Sequence, residues 1–98
     1  MNIGNAIKEL RKEKGLNQSE LAAACDLSQT ALSQIESGVK RPNPGTMKKF
    51  CDFFEVPEMI IYLLATEEID ISVEKADIYK KVFPGVKTML LGLFKEKS

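Results

Sequence analysis

Apolar residues recur at helical spacing along most of this chain, in short blocks separated by turn residues. Ile3, Ala6, Ile7 and Leu10 share one helical face, while Lys8, Glu9, Arg11, Lys12 and Glu13 fall mostly on the others. This predicts an amphipathic first helix that ends at Gly15, a residue free to take left-handed backbone. Leu16-Asn17-Gln18-Ser19-Glu20-Leu21 opens the next helix. Asn17 is an N-cap, Glu20 completes a capping box, and Leu16 and Leu21 occupy the two places of a hydrophobic staple. The same signals return at Ser28, with Leu27 before it and Leu32 four positions after. Two capped, stapled starts about ten residues apart leave room for a two-turn helix and a sharp turn between them. Helices are therefore predicted near 18–25 and 29–37, the second closed by Gly38.

Downstream, Asn43 reads as an N-cap with Pro44 at the first helical position, where its missing N–H costs nothing. That fourth helix is expected to reach Phe54, burying Met47, Phe50, Cys51 and Phe54. Pro57 restarts the chain into a fifth helix, Met59 to Ala65, which is apolar on every side. Four short neighbours cannot cover all of its faces, so either the C-terminal tail or a second subunit is expected to do so. Residues 66–77 form an acidic connector, in which Asp70 or Ser72 is a candidate cap for a sixth helix bearing Tyr79, Val82 and Phe83. Pro84-Gly85 is expected to break that helix. Val86, Met89, Leu90, Leu93 and Phe94 then resume in a final amphipathic one. The short run Ile69 to Val73 is the sole alternating stretch, so the fold class is all-α.

Composition narrows the chemistry. The 98 residues suit one domain with a modest core. Formal charge is zero, but residues 1–50 hold eight Lys/Arg against five Asp/Glu, and residues 51–98 hold six against nine. The two halves thus stand at plus three and minus three, and the capped helix pair lies in the positive half. Cys25 and Cys51 stand alone in apolar surroundings and the chain has no histidine, so a metal site lacks ligands and no cofactor is expected. Both thiols read as small buried hydrophobes. The first residues lack the apolar core of a signal peptide, and the longest apolar run is too short to span a bilayer. A reduced, cytoplasmic protein that makes no membrane contact is the expectation.

The outline at 16–42 is that of two helices joined by a tight turn. Gln18, Leu21, Ala22, Leu27, Ser28, Leu32, Ile35, Glu36 and Gly38 stand at the spacing LxQxELA…LS…LSxIExG. In this the segment resembles the phage-repressor/Cro-like helix-turn-helix family, whose members bind operator DNA. The similarity continues through Arg41-Pro42 to about Leu64. It implies a five-helix repressor-like DNA-binding domain over residues 1–65. The resemblance does not reach residues 66–98, whose own apolar spacing reads as a helical C-terminal extension suited to dimerisation. Where that family often has a small residue or Gly in the turn, this chain has Asp26, which tolerates left-handed backbone better than most residues.

Side chains then take roles. A helix 29–37 lying in the major groove would present Gln29, Thr30, Ser33 and Gln34 to base edges. The planar amide of Gln29 both donates and accepts, which matches adenine N7 and N6. Thr30 offers a methyl to thymine and a hydroxyl to base or phosphate. Gln18 resembles the family's phosphate clamp, with Asn17 beside it, and Ser37, Lys40 and Arg41 follow the reading helix where they can grip the backbone. On an arbitrary helix surface such residues are solvated filler; it is the motif that lifts them above that. Arg11 and Glu36 resemble a family ion pair that ties the first helix to the end of the third, a structural role.

These readings imply a sequence-specific DNA-binding transcriptional regulator, a repressor, acting as a homodimer on a pseudo-palindromic operator in double-stranded DNA. The competing reading is a protein-interaction module, such as the antitoxin of a toxin–antitoxin pair, with the apolar tail binding a partner protein. An enzyme is not expected, since the chain offers no histidine and no nucleophile with a recognisable base.

Overall fold

Asn2 opens the first helix, its side chain accepting from the Asn5 N–H, in a computed structural model that describes residues 1–95. Six α-helices follow one another: α1 (Ile3–Glu13), α2 (Gln18–Ala24), α3 (Gln29–Glu36), α4 (Pro44–Phe54), α5 (Glu58–Ala65) and α6 (Ala76–Gly92). Single 3-10 turns at Glu68–Asp70 and Val73–Lys75 join α5 to α6, and the short alternating run Ile69–Val73 forms no strand. The described residues contain no strand.

The local signals are realised as hydrogen bonds. Asn17 accepts from the Glu20 N–H at 2.8 Å while the Glu20 carboxylate accepts from the Asn17 N–H at 2.9 Å, closing the capping box. Ser28 caps α3 through Ala31 N–H, and Asn43 caps α4 through Thr46 N–H with Pro44 at its first turn. Gly15 and Gly38 take positive φ after α1 and α3, and Asp26 does so in the turn after α2. Glu55 also adopts left-handed backbone beyond α4, a strained choice for a residue with a Cβ that no turn residue had announced.

The core gathers one stripe from each of the first five helices. Ile7, Leu10, Leu21, Leu32, Phe50 and Ile61 are inaccessible to solvent, with Met47, Phe54 and Leu64 nearly so. Cys25 is buried, and burial pushes its thiol pKa up. Cys51 is only half-buried, a correction to the expectation that both thiols lie inside: it sits one position beyond Phe50, at the edge of the buried face. On α5 the all-round apolar surface divides, with Ile61, Leu64 and Ala65 facing the core and Met59 and Leu63 left in solvent.

The tail differs from expectation in two ways. Neither Asp70 nor Ser72 caps the last helix, which starts at Ala76 after Lys75 without a side-chain cap. Asp70 instead accepts from the Glu67 N–H in the connector and pairs with the Met1 amino group. More important, Pro84-Gly85 does not break the helix, and α6 runs through both to Gly92. The proline forfeits one N–H bond and crowds the carbonyl of Lys80. Lys80 and Pro84 are both exposed, so solvent can take up that carbonyl. Tertiary packing makes up the difference, because residues on both sides of Pro84 are anchored to the head. Tyr79 donates to the Thr66 carbonyl, Lys87 pairs with Glu9 of α1 at 2.8 Å, and Phe94 meets Phe54 edge-on. Residues 96–98 of the predicted extension lie outside the described residues.

Candidate nucleic-acid interface

Helix α3 has two faces. Leu32 and Ile35 enter the core, while Gln29, Thr30 and Ser33 are exposed on the opposite side, Gln34 is half-buried, and Ser37 is exposed just after the helix. The exposed face carries no charge and no large apolar side chain. It is a row of hydrogen-bonding groups on a rigid support, the composition that base edges in a major groove can match.

One of these groups is already oriented. The Ser19 hydroxyl of α2 donates to Oε1 of Gln29 at 2.8 Å. This fixes the plane of the Gln29 amide while leaving a lone pair on Oε1 and both hydrogens on Nε2. Sequence reading missed Ser19, because nothing local links positions ten apart; the contact exists because α2 and α3 pack together.

Behind the face lies a charged cluster. Arg11 Nε donates to Glu36 at 2.7 Å and Nη2 to its other oxygen at 3.0 Å, a bidentate pair in which each residue is only 8% exposed. The remaining guanidinium nitrogen, Nη1, donates to the Leu16 carbonyl at 2.9 Å, and Gln18 Nε2 adds a third bond to Glu36 at 3.1 Å. Among the described residues no buried side-chain nitrogen or oxygen lacks a partner. The cluster joins the end of α1, the loop before α2, the start of α2 and the end of α3. It sets how α3 projects from the domain.

The expected phosphate-contacting residues are placed unevenly. Asn17 is exposed, but its Oδ1 is used by the cap. Gln18 is half-buried, with its amide turned inward to Glu36. Ser37 is exposed and donates to the Gln34 carbonyl, while Lys40 and Arg41 are exposed in the loop that follows. The residues expected to read bases and the two cations thus lie on one continuous stretch, 29–41, whereas Asn17 and Gln18 are partly committed to the fold.

Among the described residues no three metal-ligating side chains cluster, and no helix is long and apolar enough to cross a membrane.

Residues 7–61 match the model of a family described as helix-turn-helix. Relatives agree. A 47-residue stretch is 45% identical to the ImmF control region 10 kDa protein of Bacillus phage phi105, spanning 48% of this chain and 52% of that one. Over 69 residues the identity to the HTH-type transcriptional activator BcrR of Enterococcus faecalis is 38%, spanning 70% of this chain and 33% of the relative. The competence pilus inhibition repressor of Acinetobacter baylyi is 32% identical over 65 residues, or 66% of this chain and 59% of its own length. The chain therefore spans about a third to three-fifths of the length of these relatives. No solved structure matches it significantly.

Proposed function

The chain belongs to the helix-turn-helix family, and from that premise we propose that it is a sequence-specific DNA-binding transcriptional regulator that reads the major groove with α3. The observation that carries this is the exposed, uncharged, hydrogen-bonding face of α3, held in place by the buried Arg11–Glu36 pair. Gln29 is the reader of adenine, its amide preset by Ser19. Thr30, Ser33 and Gln34 complete the readable set. Lys40, Arg41 and Ser37 hold the sugar–phosphate backbone and fix register, with Asn17 and Gln18 contributing at the start of α2. Repression by occupancy is the regulatory sign that needs nothing beyond DNA contact. The relatives' names include both an activator and a repressor.

One α3 presents four readable side chains, too few to single out a site in a genome. The working unit is a homodimer on a pseudo-palindromic operator, with half-sites about one helical turn, ~34 Å, apart. A cytoplasmic location and the absence of enzymatic chemistry accompany this reading.

Selection of bound duplexes from a random DNA pool tests it directly. The wild-type chain should enrich two related half-sites at a fixed spacing. Gln29→Ala should cost about 1–3 kcal/mol on that site and relax preference at one base pair in each half. Ser19→Ala should blunt discrimination at the same base pair without moving preference elsewhere. No enriched sequence with wild-type protein would reject the function, whereas unchanged discrimination in Gln29→Ala would reject only the assigned reader.

A further inference from the structure

Among the six helices α6 is the longest, and it alone buries no residue along its 17 positions. Every buried apolar side chain among the described residues lies between Ile3 and Ala65. The tail adds to that core from outside, through the half-buried Leu90, Leu91 and Phe94. Two polar contacts accompany them: Tyr79 donates to the Thr66 carbonyl at 2.9 Å, and Lys87 pairs with Glu9 at 2.8 Å. The ion pairs of the connector, at Glu67, Glu68 and Asp70, are open to solvent and add little. The helix itself starts without a side-chain cap and carries Pro84 near its middle. An element with few buried contacts opens at a lower free energy than the structure it leans on.

The seat of α6 lies on the same helix that sets α3. At 100° per residue, Gly4 and Arg11 fall within about 20° of each other around α1. Both face α3: a Cβ on Gly4 would stand 2.1 Å from the Ile35 carbonyl oxygen, and Arg11 holds Glu36 with two bonds. Glu9, which takes Lys87, stands about 140–160° away from them, on the far side of α1. Helix α1 is thus held between α6 and the end of α3. On the α3 side backbone meets backbone, with no soft side chain between to absorb a displacement. A shift of α1 on losing α6 therefore reaches the last turn of α3.

We propose that α6 is a reversible clamp: it leaves α1 as a unit while α1–α5 stay folded, and its seating fixes the setting of α3 through α1. Open and closed states both exist without DNA, so this goes beyond the function proposed above and does not rest on it. Salt that screens Lys87 from Glu9, or anything that competes for the inner side of α6, shifts the population toward the open form.

Amide hydrogen exchange of the full chain, read residue by residue under native conditions, tests the clamp. Amides of residues 80–92 should exchange at least about tenfold faster than those of Ile7, Leu10 and Leu21. Lys87→Glu sets like charges together and should speed exchange in α6 about tenfold further, leaving Ile7, Leu10 and Leu21 protected. Exchange at Ile35, Glu36 and Ser37 should rise with it. Tyr79→Phe removes a different anchor and should give the same pair of effects at smaller size. Glu9→Lys combined with Lys87→Glu should return both helices to wild-type rates, since the pair is restored in reverse. Equal exchange in α6 and in the core of α1–α5 would make the tail part of one cooperative unit and overturn the clamp. Opening of α6 in both single variants with the last turn of α3 unmoved would overturn it too, leaving a loose but uncoupled tail. Should Lys87→Glu lose protection throughout, Lys87→Gln decides, because it removes the charge without reversing it. Loss confined to α6 and the end of α3 then upholds the clamp, and uniform loss rejects it.

Discussion

Glu36 fixes the direction of α3, the proposed reading helix, from behind its exposed face. Its two oxygens receive bonds from Arg11 and Gln18, and its backbone ends α3. A buried pair of this kind adds little net stability over an apolar replacement, yet leaving one partner unpaired costs about 3–5 kcal/mol. Arg11→Ala and Glu36→Ala should each lower the unfolding free energy by that order. The double variant should cost clearly less than the two combined, since the second removal relieves a charge the first has stranded. Denaturant melts of the four proteins of the cycle check this, and strict additivity would mean the pair does not act as a unit. Gln18→Ala should cost less, about 1 kcal/mol, because Glu36 keeps its bidentate partner. At this scale the sequence disclosed the Arg11–Glu36 partnership only through family resemblance, and it disclosed neither the Gln18–Glu36 nor the Ser19–Gln29 bond. Both of the latter join side chains brought together by packing.

Between elements, the approach of α1 to α3 is set by an absence. A Cβ on Gly4 would stand 2.1 Å from the Ile35 carbonyl oxygen and 2.9 Å from that of Glu36. Alanine is favoured over glycine in a helix by about 1 kcal/mol, but it cannot fit here unless α1 and α3 separate. The clash should win: Gly4→Ala should destabilise by about 3 kcal/mol or more, read from a chemical melt. Gly45→Ala, where the added carbon meets only Asn43 Oδ1 at 3.5 Å, should be neutral or mildly stabilising. Pro84 is the opposite case, an element that tolerates a residue it would prefer to lose. Because α6 is already continuous across it, Pro84→Ala should restore an N–H bond and raise stability by about 1–3 kcal/mol. A lowered melting temperature in that variant would show that the proline shapes the seat of α6 on α1.

Taken as a whole, the molecule has zero formal charge, yet its basic excess lies in residues 1–50, with Lys40 and Arg41 beside the end of α3. Few exposed cations accompany the reading face, so the proposed DNA complex should depend on salt clearly but not steeply. Replacing Lys40 and Arg41 together by Ala should weaken binding to all sequences alike. It should also reduce the slope of log affinity against log salt by about 2 per protomer. An unchanged slope in a salt titration would remove both from the interface. The tail belongs to this scale too, since α6 covers α1 with one face and presents the other to solvent.

What the sequence by itself determined is most of what closes within about one helical turn. Asn17, Ser28 and Asn43 cap the helices they were expected to cap, Gly15, Gly38 and Asp26 take left-handed backbone, and the 3.6-residue period picks out Ile7, Leu10, Leu21 and Leu32 as core. These are contests among neighbours, and neighbours are written in order. Only the tertiary structure decided that α6 continues through Pro84, that Cys51 stays half outside, that Gly4 lies against a carbonyl, and that Ser19 holds Gln29. In each of these the outcome depends on a second element arriving at a particular distance and angle. The free energy of that packing can exceed a local preference of one to a few kcal/mol, and no local pattern encodes it.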